Sequence, residues 1–134
     1  MSILVTDTGF LPAPPADAVP LAGIAAHRGV LDLAPTDDPA ALRPYLADLT
    51  LIRVAFPVFS DGRAFTIARR LRMMGYGGAL HAVGPLIADQ YAMARRLGFD
   101  AVEIPDDLAA RQPESQWLFR ADWQAHEYQA RLRA

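Results

Sequence analysis

At 134 residues the chain has the size of one domain able to bury its own core. It has no cysteine and all 13 of its basic residues are arginine, which excludes a thiol redox centre, an iron–sulfur cluster held on its own thiolates and a Schiff-base lysine. A net charge of -2 gives no general pull toward nucleic acid, and no apolar run is long enough to span a bilayer, so a cytoplasmic protein binding neither nucleic acid nor membrane is expected.

Residues 1–28 read as an N-terminal arm. Ile3-Leu4-Val5 is short enough to be an edge strand or to fray, and Pro12, Pro14, Pro15 and Pro20 predict an irregular path after it. A first strand follows over 29–34. Thr36 or Asp37 then caps a helix that tolerates Pro39 in its first turn and runs to about 46. The β-branched run Leu51-Ile52-Arg53-Val54-Ala55-Phe56 predicts the next strand, and a loop over 57–62 leads into a helix over 64–74. Gly75-Tyr76-Gly77-Gly78 has the order of a helix stop and turn, not of a phosphate cradle. Beyond it come a strand over 79–83, a helix over 86–97 and a strand over 101–104. The expected fold class is α/β: a four-stranded, mainly parallel sheet of βαβαβαβ units over 29–105, half-barrel or flavodoxin-like, with right-handed crossovers.

Two helical segments resemble each other, Phe65-Thr66-Ile67-Ala68-Arg69-Arg70-Leu71 and Tyr91-Ala92-Met93-Ala94-Arg95-Arg96-Leu97. Each places an aromatic, an alanine and a leucine on one face with the arginine pair outward, a pattern that two helices with the same packing task can reach by convergence or by duplication. Arg43, Arg69, Arg70, Arg72, Arg95 and Arg96 fall in middle and last turns while Asp37, Asp38, Asp61, Asp106 and Asp107 fall near helix starts. This sorting complements the helix dipoles and sets the arginine pairs at the edge opposite a ligand crevice.

Ligands of open parallel sheets bind beyond the carboxyl ends of the strands. That edge should gather Asp61, Gly62 and Arg63 after one strand and Asp89 and Gln90 after the next. Gly62 permits close backbone approach, amides at the helix start can face an anion, and Arg63 adds a bidentate donor. The competing structural account makes Asp61 an N-cap, Gly62 a turn former and Arg63 the partner of a nearby carboxylate. His27, His81 and His126 lack metal-ligand spacing, so no metal is expected, and His81, inside a strand, reads as a core or rim histidine bonded to backbone. No cofactor fingerprint is present.

Residues 114–134 read as one C-terminal helix. Trp117, Trp123 and Tyr128 on it suit either packing onto the domain or an interface with a partner or second copy.

The set Phe56-Pro57, Asp61-Gly62-Arg63, Gly75-Tyr76-Gly77-Gly78, Asp89-Gln90 and Gly98-Phe99-Asp100 resembles the signature of a bacterial family, domain of unknown function family 934, over about 29–104. Members are often labelled oxidoreductases of sulfite reduction and are typically encoded beside assimilatory sulfite reductase. The resemblance therefore implies an accessory factor of sulfur assimilation, partnered by sulfite reductase or another protein of that route. The residues themselves offer an alternative, a small anion- or phosphate-binding enzyme with its site at the strand ends. A third reading is a homo-oligomer, a structural dimer without ligand, expected if Phe56 and Phe59 fill the crevice.

Overall fold

The computed structural model describes residues 2–13, 18–27, 29–57 and 62–121. Seven strands form one sheet: β1 (Ser2–Thr6), β2 (Gly9–Pro12), β3 (Val19–Pro20), β4 (Val30–Leu33), β5 (Leu51–Ala55), β6 (Ala79–Val83) and β7 (Ala101–Pro105), in the order β2-β1-β7-β6-β5-β4-β3. Strands β3 to β7 are parallel and neighbour one another in chain order, whereas β1 runs antiparallel to both β7 and β2. The fold is thus α/β with a mostly parallel sheet, as the alternation of patterns predicts, but with seven strands instead of four and without the strand-order reversal of a flavodoxin-like sheet.

The three additional strands come from the segment expected to be an irregular arm. Thr6 to Gly9 is a hairpin turn in which Thr6 Oγ1 donates to the Gly9 carbonyl at 3.2 Å, with Gly9 at a φ of 127°. This pairing makes β1 an internal strand, neither an edge nor a frayed end. Pro12 and Pro20 are accommodated because they close the two outermost strands, where a missing N–H costs the sheet nothing, and Pro14 and Pro15 lie outside the described residues.

Four α-helices are described: α1 (Arg63–Met73), α2 (Tyr91–Arg96), α3 (Asp106–Arg111) and α4 (Glu114–Arg120). The helix expected after Pro39 is a 3-10 helix, Pro39–Tyr45, with Pro44 inside it. Its cap is Asp38, whose Oδ1 accepts the Ala40 N–H at 3.0 Å, while Asp37 closes the preceding turn through the Ala34 N–H at 2.8 Å. The expected helix over 86–97 begins instead as a 3-10 turn, Ala88–Gln90. Of the C-terminal helix, residues 122–134 lie outside the described part.

Alternate strand residues Leu31, Leu33, Ile52, Val54, Leu80, Ala82, Val102 and Ile104 are buried in a single cluster. The same cluster takes Ala64, Ile67, Ala68 and Leu71 from α1, Tyr91 and Ala94 from α2, Leu108 from α3 and Trp117 from α4. All four helices therefore lie on one face of the sheet. Successive parallel strands laid down in one direction, with crossovers of one hand, produce this arrangement.

The resemblance between α1 and α2 is real in geometry but in a different register from that of the sequence. Both helices end on a left-handed glycine, Gly75 (φ 96°) and Gly98 (φ 115°), and the next residue's N–H bonds back, Tyr76 to Leu71 and Phe99 to Ala94, each at 3.0 Å. Arg72 and Arg95 are the matching residues: each sends Nη1 to the carbonyl of the aromatic after the glycine, at 2.9 Å for Tyr76 and 2.6 Å for Phe99. No described helix is long and apolar enough to cross a membrane.

Candidate functional site

A strand with one face in the core turns its intervening residues the other way. On β4 to β7 those residues are Asp32, Arg53, His81 and Glu103, each in the middle of an otherwise apolar strand. Asp32 stands opposite Arg53 and Arg53 opposite His81 in the ladder, while Glu103 lies opposite Val83, farther toward the carboxyl edge. The row occupies the face that carries no described helix.

These four side chains form one connected cluster. Arg53 reaches across β6 and donates Nε to Glu103 Oε2 at 3.1 Å and Nη2 to Oε1 at 3.3 Å, a two-point fork. His81 Nδ1 meets the same Oε2 at 3.0 Å. Arg53 Nη1 lies 3.4 Å from Asp32 Oδ1, an ion-pair distance. Glu103 and His81 are only 4% and 8% exposed, and the Arg53 side chain 20%. His81 is thus bonded to a carboxylate, not to backbone as its place in a strand suggests.

The carboxyls respond in opposite senses. Burial pushes Glu103 up, but the His81 hydrogen bond and the Arg53 charge together outweigh it and hold the group below its ordinary range. Asp32 is raised, since burial and the Glu103 charge outweigh the attraction of Arg53. Asp32 and Glu103 thus share the single Arg53 guanidinium, and Glu103 has the His81 ring in addition. A small cavity of about 80 Å³ opens beside this cluster, lined by Asp32, Leu33, Arg53, Ala55 and Val83. It sits at the carboxyl ends of β4, β5 and β6, the edge at which parallel sheets present ligand sites.

The residues expected to form an anion site are distributed differently. Gly62 and Arg63 begin α1 after β5, and Asp89 and Gln90 form the turn after β6, so both pairs follow carboxyl ends of neighbouring parallel strands. Gly62 has a φ of -75° and a Cβ placed on it meets nothing within 4 Å, so this position makes no steric demand for glycine. Gln90 Oε1 accepts the Ile87 N–H at 3.0 Å and closes its own turn. Asp89 lines a cavity of about 410 Å³ with Ala88, Gln112, Ser115, Gln116 and Phe119; among the described residues Arg63 is not part of that wall. Asp61 lies outside the described residues.

Of the candidate interface residues, Trp117 is 1% exposed and packs within its own domain, edge-on to Tyr91 at 6.2 Å, its indole N–H on the Gln112 carbonyl at 2.9 Å. Trp123 and Tyr128 lie outside the described residues. Phe56, which the third reading sets in the crevice together with Phe59, is buried against Phe65 and Phe99, and Phe59 lies outside the described residues. At the opposite edge, Arg69, Arg72, Arg95 and Arg96 line an open cleft with Asp100. Arg72 there is committed to the carbonyls of Gly98, Tyr76 and Gly78 and to Asp100, and Arg95 to Asp7 and the Phe99 carbonyl.

A family model described as a bacterial protein of unknown function (DUF934) matches residues 30–134. No curated protein and no solved structure matches the chain.

Proposed function

The chain belongs to this bacterial family, DUF934, and from that premise we propose that it is an accessory factor of assimilatory sulfite reduction, acting through a protein partner. On this proposal the sheet is a half-barrel whose concave side the partner covers. One observation carries the reading: parallel sheets are stable when both faces are covered, yet every described helix packs on one face. The other face offers half-buried Val30, Leu51, Ala55, Ala79 and Val83 around the charged row. A central apolar surface with a few fixed charges is the composition of a specific interface. Absence of cysteine means that the chain contributes no thiol electron carrier of its own, which favours an accessory role over direct electron transfer.

The test is co-purification of the host's sulfite reductase on tagged protein, beside growth of a deletion strain on sulfate and on a reduced sulfur source. Capture that is lost in Ala55→Arg, with a growth defect on sulfate alone, supports the proposal. No capture together with unchanged growth overturns it.

The placement of Gly62, Arg63, Asp89 and Gln90 after neighbouring parallel strands supports a second reading, a small anion- or phosphate-binding enzyme at that edge. Equal thermal shifts with sulfite, sulfate and phosphate for native protein and Arg63→Ala would dismiss it.

A further inference from the structure

We infer that the open cleft lined by Arg69, Arg72, Met73, Arg95, Arg96 and Leu97 docks an acidic segment of a partner protein, one that carries an apolar side chain among its carboxylates. The cleft lies where α1 and α2 end and β6 and β7 begin, so it is separate from the uncovered sheet face, and the accessory reading stands or falls without it. Its floor is held from both helices. Arg72 donates Nε to the Gly98 carbonyl and Nη2 to Asp100 Oδ2, each at 2.9 Å, and the same Oδ2 accepts the Leu80 N–H at 2.9 Å. Gly98 permits this approach, since a Cβ there would stand 2.5 Å from Arg72 Cγ. Groups fixed before binding have little freedom left to lose.

Charge and shape select the occupant. Four guanidiniums of the wall meet two carboxylates, Asp100 in the wall and Asp7 on Arg95, and no histidine takes part. Arginine stays protonated throughout the physiological range, and protonation of either aspartate would only enlarge the positive excess. Complementing the helix dipoles accounts for Arg72 and Arg95, which already serve carbonyls beyond the helix ends. It does not account for Arg69, which stands before the last turn of α1, is exposed, and makes no hydrogen bond or ion pair among the described residues. Arg96 is exposed on the α2 side of the same cleft. Between the charges Met73 is 76% exposed and Leu97 half-buried. Arginine and methionine are enriched at interface centres, and methionine adapts to the shape it meets. At about 530 Å³ the cleft has the volume of a small-molecule pocket, but it is open where such a pocket encloses its ligand, so a free anion would stay largely in water. A lipid surface is flat and does not enter a recess. A segment of chain fills one and is held there by the rest of its protein.

The experiment is NMR titration of the full chain, following the Met73 and Leu97 methyl signals. The probes are an end-blocked peptide of alternating glutamate and leucine, the same peptide with lysine for glutamate, inorganic phosphate, and vesicles of anionic phospholipid. Native protein should show saturable shifts with the glutamate peptide, weakening as salt is raised, and none with the lysine peptide. Arg69→Gln, at an exposed position, should fold as the native chain does and weaken binding by about two- to fivefold, and Arg69→Gln with Arg96→Gln by about tenfold. Arg70→Gln, whose guanidinium pairs with Asp38 outside the cleft at 3.2 Å, should leave binding unchanged. No saturable shift with the glutamate peptide, or equal binding by native protein and the double variant, overturns the inference. So does an equal loss in Arg70→Gln, which would reduce the effect to overall charge. Saturation by phosphate or by vesicles in place of the peptide would give the cleft to a small anion or a lipid surface, and movement of the same signals on concentrating the protein alone would give it to a second copy; each of these also overturns it.

Discussion

Arg53 on β5 bridges over β6 to hold Glu103 on β7 through two hydrogen bonds. The bond ties together three neighbouring strands on the face that the described helices leave uncovered. Removing one member leaves the other charged and desolvated, so Arg53→Met alone or Glu103→Leu alone should each destabilise the fold by about 3 kcal/mol, whereas the two together should be close to neutral. Urea unfolding of the two single variants and the double variant reads this directly. Additive losses would show that the pair contributes separately and not as a unit.

The pH dependence follows from the same cluster. Glu103 is held below its ordinary value of 4.5, so its contribution to stability is fully present above that pH and is lost as pH falls through its folded-state value. Asp32 is raised above 3.8, so its sign is the reverse: it favours the fold most when protonated, and that contribution is lost as pH rises through its raised value. Glu103→Gln should therefore flatten the acid limb of a stability profile, and Asp32→Asn should leave the neutral plateau equal or higher. Urea midpoints between pH 3 and 7 measure both. An unchanged acid limb in Glu103→Gln would place the acid-sensitive group elsewhere.

Much of this was legible in the chain and the rest was hidden for identifiable reasons. The apolar runs at 51–55, 79–83 and 101–104 specify parallel strands because helical segments separate them. The charged row was present in these runs and in the strand before them: Asp32, Arg53, His81 and Glu103 each interrupt a strand at the position that alternation turns away from the core. A parallel strand with both faces in one chain's apolar core has no place for such residues, so one ionisable side chain per strand, on four successive strands, was the available signal. A search for loop residues at strand ends passes over it. Strands β2 and β3 were masked by their prolines and by the two-residue length of β3. The match between the two arginine-bearing helices misled because composition aligned Phe65 with Tyr91. The glycine that stops each helix, Gly75 or Gly98, is what sets the geometry.

Trp117 anchors α4 to the body of the protein. It fills a buried site against Tyr91, while Glu114 at the start of the same helix accepts the Phe10 N–H at 2.7 Å and holds the β2 edge. Trp117→Ala should cost about 3–5 kcal/mol through the cavity it leaves. Trp117→Phe should cost less, retaining a ring against Tyr91 while depriving the Gln112 carbonyl of its donor. Thermal unfolding of the two variants ranks them. Equal, small losses would indicate that α4 docks by other contacts.

Two glycines at strand exits should respond in opposite ways to alanine. Gly84, just past β6, has a φ of 147°, and a Cβ there would stand 2.1 Å from the Phe56 carbonyl oxygen. That oxygen belongs to backbone at the end of the neighbouring strand, so it cannot swing aside as a flexible side chain would. Gly84→Ala combines a disfavoured backbone conformation with a steric overlap, each costing about 1–3 kcal/mol, and should unfold or severely destabilise the chain. Gly62 has an ordinary helical φ of -75° and open space around it. Gly62→Ala should therefore be neutral or stabilise by up to about 1 kcal/mol, by restricting the unfolded chain. Chemical denaturation of the two variants side by side decides the matter. A destabilised Gly62→Ala would mean that this position needs glycine after all, and a silent Gly84→Ala would mean that β5 and β6 part more widely at their carboxyl ends.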